Sequence, residues 1–489
     1  MEGVIEAAGA TQRSILSESA FRNLRKNLKV KIGPDLGIGD PVTRKHLQEL
    51  LNEDLHPSSV AHGQFQQLIP QCECNYLSRW CSDVGEEFRP IERTARSISG
   101  YILDSEISGK FAADLIMSMV NNAGQNFTAK EIVLAIEDVI HRPLSVFQAV
   151  CVFEKAPLSK RTQNNGWLSS HDAADWLTRH GFSTEGLRIA GALRVEVRAR
   201  DQWRASQISR EAFQRVIARA TIGSWVDCKH YESIWIAGAN IPHRFSEDRG
   251  VVCPTLHRND SLYADGRDDS INNALELLGT LNNGPRGPAV TSGWTALETL
   301  LTTPSDAGQR VCAAERAGVI AACSFARAEL TKLSYVHEKE APAGDALAAS
   351  LGDAESNRER ARLVANILVE GGRICTRRAV DEASVVRLNK LLESPNKSLR
   401  DIASHVGITL NRFYLVRNLI THGGVVDSRS VETQLRAASP LIGAVIDRIV
   451  SYSESEGLDS ISLAARAMNA ISLSETVQRN HIVDLLEQI

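Results

Sequence analysis

Between Leu410 and Gly424 the chain can satisfy its apolar residues in one way, as a helix wedged among other helices. Phe413, Val416 and Ile420 recur at helical spacing, with Tyr414 and Leu419 flanking them. Gly423 and Gly424 then stop the helix. Its last turns present Arg417, Asn418 and His422, so an apolar wedge ends in a polar tip.

A wedge needs a bundle, and the sequence after Asp269 supplies one. Helical patterning marks 271–278, 294–301, 309–333, 359–370, 382–392, 399–405, 410–422 and 430–452. Pro342 to Asp345 and the charged run Asp353 to Arg360 read as loop, and a helical pair, 464–468 and 471–486, closes the core. Upstream, Leu193, Val195 and Val197 alternate with charged residues as in a half-buried strand. Asp201 to Ala218 reads as a helix, Tyr231 to Ala239 as a second strand, and Pro242 to Asp268 as a long connection. Before residue 180 short helices dominate, one of them capped by Thr128 with Glu131 three residues on. The expected fold class is mainly α: a helical N-terminal domain over 1–180, an α+β lead-in over 181–268, and a helical bundle over 269–489.

Composition removes several function classes. Fifty-five Lys and Arg against fifty-nine Asp and Glu give a net charge of −4, which excludes a globally cationic nucleic-acid coat but not a local patch. Between Gly371 and Ile420, nine basic residues stand against four acidic ones. The start, Met1 to Glu6, has neither the basic opening nor the apolar run of an export signal, and no segment is apolar for long enough to span a bilayer. A cytoplasmic protein with reduced thiols and no membrane contact is expected. Cys72, Cys74 and Cys81 lack the second pair or the histidines that zinc requires, so they read as plain thiols. The turn Gly33 to Pro41 lacks the lysine-serine ending of a phosphate loop, and no metal or cofactor is expected.

The polar tip suits phosphodiester chemistry. Asn418 and His422 lie four apart on one helical face, and Arg417 is long enough to curve back towards it. The helix C-terminus favours a positive charge at His422. An imidazole there can take the 2′-hydroxyl proton or donate to a leaving oxygen. The Arg417 guanidinium can neutralise non-bridging phosphate oxygens. Asn418 is too weak an acid or base to move a proton but can orient its neighbours. The same residue types also serve as ordinary helix caps, and spacing alone does not separate the two roles.

Arg417-Asn418-Leu419-Ile420-Thr421-His422 resembles the arginine, four residues, histidine motif of the HEPN domain ribonucleases, including the asparagine after the arginine. Arg412-Phe413-Tyr414 before it and Gly423-Gly424 after it fit as well. Ser292 to Leu300, with Trp294 and Leu297-Glu298, resembles a helix of the ApeA-like branch, and Val195 to Asp201 with Ala205 is similar to its strand-to-helix lead-in. The resemblance covers about residues 187 to 455. It implies metal-independent RNA cleavage leaving a 2′,3′-cyclic phosphate, a homodimer with facing helices, and service as a toxin or abortive anti-phage effector. On that resemblance the substrate is RNA (tRNA or mRNA), the trigger is phage-derived or a neighbouring regulatory protein, and the site residues are Arg417, His422, Asn418 and Glu298. Glu298 would orient Arg417 or His422; its structural alternative is a pair with Arg310 or Arg316.

Two rival classes remain. Ser398 to Thr409 resembles the first helix and turn of a helix-turn-helix, which would make Leu410 to Ile420 a DNA recognition helix. Phe413, Tyr414, Leu415, Val416, Leu419 and Ile420 leave that helix little polar face, which favours the wedge. The other rival is a HEPN-like scaffold or sensor that has lost its chemistry and only dimerises or binds nucleotide. His405 reads as a structural or surface histidine in each case.

Overall fold

A computed structural model describes residues 1–83, 91–123, 128–156, 166–223, 228–246, 248–261, 268–306, 312–424, 428–474 and 479–487. The fold is mainly α with one small sheet, and the chain divides into two compact units, Met1–Glu247 and Asp248–Ile489. That division departs from the expected boundaries near 180 and 268 at both ends of the lead-in, for reasons visible in each unit.

In the first unit, helices α1 (Glu2–Gln12), α2 (Glu18–Ile32), α3 (Pro41–Leu50), α4 (Val60–Glu73), α5 (Tyr76–Asp83), α6 (Ile91–Asp104), α7 (Gly109–Ala123) and α8 (Ala129–His141) precede the sheet. The Thr128 cap of α8 forms as the sequence predicts, with a reciprocal bond between its backbone N–H and Glu131. Buried Glu137 of α8 accepts from the Leu77 and Ser78 N–H groups, satisfying donors that the start of α5 leaves free.

The chain then enters β1 (Ser145–Lys155), β2 (Trp167–Leu168), α9 (Ser170–Arg179), β3 (Gly191–Ala199), α10 (Gln202–Ile222), β4 (Lys229–His230), β5 (Ser233–Ile236) and β6 (His243–Arg244). The sheet order is β2-β3-β1-β5-β6, with β4 also paired to β1 and every pairing antiparallel. The centre is therefore β1, a strand inside the segment expected to be wholly helical. Its residues Ala149 to Phe153 are buried in succession, so it shows no alternation of the kind that betrays β3. Because β1 pairs with β3, residues 145–180 belong with the lead-in. Asp201 caps α10 by accepting from the Arg204 N–H and also takes the Ser108 N–H and hydroxyl at the start of α7. This stitches the helical part to the sheet.

The second unit comprises α11 (Pro254–Arg258), α12 (Asp269–Asn283), α13 (Arg286–Leu301), α14 (Cys312–Glu340), α15 (Ala346–Gly352), α16 (Asn357–Val369), α17 (Ala379–Glu393), α18 (Pro395–Gly423), α19 (Arg429–Glu456) and α20 (Ser460–Leu473). Residues from 248 belong here because Arg249 donates to the carbonyls of Leu281 and Gly284, and the Thr255 N–H donates to Asp447 of α19. Helix α14 is the axis of the bundle, packed against α13 and α15 to α20. Two stretches read differently in the fold. Helix α16 begins at Asn357, inside the run 353–360 read as loop, with the short helix α15, capped by Asp345, just before it, and the end of the tail is a 3-10 turn, Arg479–Asp484, in place of a helix.

The largest correction concerns α18. Expected as two helices, 399–405 and 410–422, it is one helix of 29 residues. Gly407 sits mid-helix, where glycine costs about 1 kcal/mol relative to alanine. The close approach of α14 and α18 is on the α14 side: a Cβ at Gly318 would lie 2.6 Å from the Ala403 carbonyl oxygen and 3.4 Å from the Gly407 nitrogen, whereas one at Gly407 would make only an ordinary 3.7 Å contact with the Ala314 carbonyl oxygen. A helix-turn-helix needs a break at this point, and α18 has none.

Candidate functional site at the end of the long helix

Helix α18 ends on Gly424, whose left-handed φ of 64° lets its N–H reach the carbonyls of Ile420 and Leu419. Phe413 is fully buried and Val416 nearly so, both in the bundle core. Trp294 and Leu297 of α13 are fully buried too, with the Trp294 ring 4.8 Å from that of Tyr414. These residues hold the helix and leave its tip for chemistry.

At the tip, His422 is exposed in the last turn, Arg417 is half-buried and Asn418 is buried. The Arg417 Nη1 donates to the Asn418 Oδ1 at 3.0 Å. On an ideal helix, Arg417 points about 100° away from Asn418, whereas Asn418 and His422 share a face. The bond therefore turns the guanidinium towards the side on which His422 stands. It also engages the Asn418 carbonyl oxygen. The Arg417 Nε is buried and makes no hydrogen bond among the described residues.

Glu298 does not join this group. Helix α13 runs antiparallel to α18: Gly293 packs on Phe413, while Leu301, at the far end, bonds Arg316 beside the Gly318–Ala403 crossing. From the Gly293–Phe413 level, Arg417 lies four residues one way and Glu298 five residues the other, a separation of about 13 Å along the axes. Among the described residues no hydrogen bond or ion pair links Glu298 to Arg417 or His422. Of its two expected structural partners, Arg316 pairs with Asp306 at 2.6 Å, and Arg310 lies outside the described residues.

Among the described residues, Glu432, in the first turn of α19, is an acidic group that follows the tip closely in the chain. It holds Arg286, the first residue of α13, at 3.1 Å, and both side chains are mostly shielded from solvent. Sequence reading passed over this pair, though an acid in a first helical turn opposite a basic helix start is a weak signal for one. His405, by contrast, is exposed and bonds the Asp401 carbonyl one turn back within its own helix. Arg377 and Arg378 pair with Glu340 and Asp381, and Arg400 with Asn396, so these bases are engaged within the bundle.

The tip thus combines one oriented guanidinium, one buried amide and one accessible imidazole. Such a set can neutralise a phosphodiester and move one proton. Among the described residues, no three His, Cys, Asp or Glu side chains gather in a metal-binding arrangement, and no helix is long and apolar enough to cross a membrane. No family model, curated protein or solved structure matches the chain.

Proposed function

We propose that the protein is a HEPN-type endoribonuclease that cuts RNA through the substrate's own 2′-hydroxyl. The observation that carries this reading is the Arg417–Asn418 bond, which turns the one guanidinium of the motif towards an exposed His422 at a helix terminus. In the reaction the 2′-oxygen attacks phosphorus, the P–O5′ bond breaks, and a 2′,3′-cyclic phosphate and a 5′-hydroxyl remain. Arg417, oriented by Asn418, neutralises the non-bridging oxygens as charge builds on them. His422 transfers a proton, either from the 2′-hydroxyl or to the departing 5′-oxygen. A single imidazole covers only one of these transfers. A homodimer that brings two such tips to one phosphate supplies both, which is why a two-fold assembly belongs to this reading. Action in the cytoplasm as a toxin or anti-phage effector, released by a phage-derived or neighbouring protein trigger, is its biological extension.

Incubating purified protein with tRNA, mRNA and single-stranded DNA, with chelator present, tests the reading. Cut RNA with cyclic phosphate ends, and intact DNA, are expected. Cleavage of a substrate lacking the 2′-hydroxyl at the scissile nucleotide, or strict dependence on added Mg²⁺, overturns the mechanism. Sedimentation of the active protein as a strict monomer removes the two-fold part.

A further inference from the structure

His243 is buried in the first unit, and among the described residues neither of its ring nitrogens makes a hydrogen bond. It lies on β6 opposite Ile234 of β5, which is apolar and fully buried. From the other side, Trp203 of α10 packs against the imidazole edge-on, with ring centres 4.1 Å apart. Seven residues further along α10, Arg210 donates to the Arg244 carbonyl at 3.4 Å. Trp203, Ser206 and Arg210 are spaced three and four apart, so one stripe of the helix meets β6 at both its ends. Ser206, between them, is buried and makes no hydrogen bond. A neutral imidazole carries both a donor and an acceptor, so a hydroxyl left unbonded beside it stands out of its reach.

A neutral ring bears this burial at modest cost. An imidazolium has a charge and two N–H donors, and the closed contact offers no acceptor for either. Two charged groups face the ring. The Arg210 guanidinium repels an imidazolium, and the Asp201 carboxylate attracts it. Asp201 is already engaged by the Ser108 N–H and hydroxyl and by the Arg204 N–H. Burial, aided by Arg210, prevails and holds the His243 pKa below its ordinary value. We propose that His243 makes the contact between β6 and α10 an acid-released latch, shut while the ring is neutral and opened when the ring takes a proton. Opening brings the imidazolium to water and parts β6 from the Trp203 and Arg210 side chains. A lowered folded-state pKa leaves the latch fully stable above about pH 6.5, the ordinary histidine value, and weakens it as pH falls below that. The device lies within the first unit and stands apart from the ribonuclease reading.

Amide hydrogen exchange of the full chain, read by mass spectrometry at pH 7.5 and 5.5 and corrected for the intrinsic pH dependence of exchange, tests the latch. At pH 5.5 a solvated imidazole is about ten-to-one protonated, so opening should gain up to about tenfold. In wild type, peptides covering 233–245 and 202–210 should lose protection by up to that factor between the two pH values. Peptides from 313–330, in the core helix α14 of the second unit, should not. His243→Phe keeps an aromatic ring against Trp203 and cannot take a proton, so its 233–245 peptides should be equally protected at both pH values. His243→Gln, also neutral throughout, serves the same comparison if the larger ring does not fit. Equal protection of 233–245 at both pH values in wild type overturns the latch, and so does the same loss of protection in a folded neutral variant.

Discussion

Gly318 of α14 lies so close beneath the Ala403 carbonyl of α18 that a Cβ on it would come within 2.6 Å of that oxygen. The contact joins the two 29-residue helices of the bundle, one carrying the core and the other the candidate site. Backbone faces Gly318, so the neighbour cannot swing aside as a side chain could. Gly318→Ala should therefore destabilise the second unit, because overpacking of about 1–3 kcal/mol outweighs the gain in helix propensity of up to about 1 kcal/mol. Gly279, in the exposed middle of α12 with nothing within 4 Å of its would-be Cβ, is the control. There, alanine should raise stability by up to about 1 kcal/mol. Denaturant unfolding of both variants reads the two signs, and equal shifts in one direction would refute the close crossing.

Arg360 is the most completely engaged buried cation of the second unit. It bonds the Ser334 hydroxyl at 3.1 Å, the Leu351 carbonyl at 2.5 Å and the Glu338 carboxylate, and its guanidinium lies 4.1 Å from the Tyr335 ring centre. Arg360→Met keeps the stem but strips these partners, at about 1–3 kcal/mol for each buried group left unsatisfied. Glu338 is well exposed and adds little to that sum. A clear fall in Tm is expected; an unchanged Tm would mean that water satisfies these groups as well as the arginine does.

Asp447 gives the second unit a pH dependence. Burial pushes its carboxyl up, but the Arg448 guanidinium and the Thr255 N–H outweigh burial and hold it below the usual carboxylate value. A lowered folded-state pKa means stability that is fully present above about pH 3.9, the unfolded value, and lost as pH falls through the folded one. Asp447→Asn should lower Tm at pH 7 and lose its disadvantage progressively below pH 4. A gap between the two melting curves that stays constant down to pH 2 would show that the charge contributes nothing.

How far the sequence spoke depended on whether a feature was local. The Thr128 cap, the alternating strand around Val195 and the helix after Asp201 are written in neighbouring residues, and each forms. Strand β1 was illegible because it is buried along its central run, and an uninterrupted apolar run reads equally as helix. Gly407 suggested a turn, since glycine usually breaks a helix; the close crossing that holds α18 straight there is set by Gly318 of α14, elsewhere in the chain. At the site, Arg417 was expected to curve towards the Asn418–His422 face; its bond to the Asn418 side chain was not foreseen. The position of Glu298 depended on the direction in which α13 runs against α18, which one helix's own residues do not encode.

The tip of α18 yields graded expectations, since its three groups differ in burial. His422 is exposed, so His422→Ala should leave Tm unchanged and reduce RNA cleavage by about 10²-fold or more through loss of the proton carrier. Arg417→Ala should cost a similar factor by removing the transition-state charge contact, again with a folded protein. Asn418 is buried and holds Arg417, so Asn418→Ala should lower both Tm and kcat, with a smaller loss of rate than either of the others. Asn418→Asp separates orientation from donation: the carboxylate keeps the Arg417 contact but removes the amide donors and places a negative charge beside the phosphate. If donation matters, Asn418→Asp should cleave more slowly than Asn418→Ala. If the side chain only orients the guanidinium, Asn418→Asp should keep the larger share of activity. Undiminished cleavage by folded His422→Ala protein would take the histidine out of the mechanism altogether.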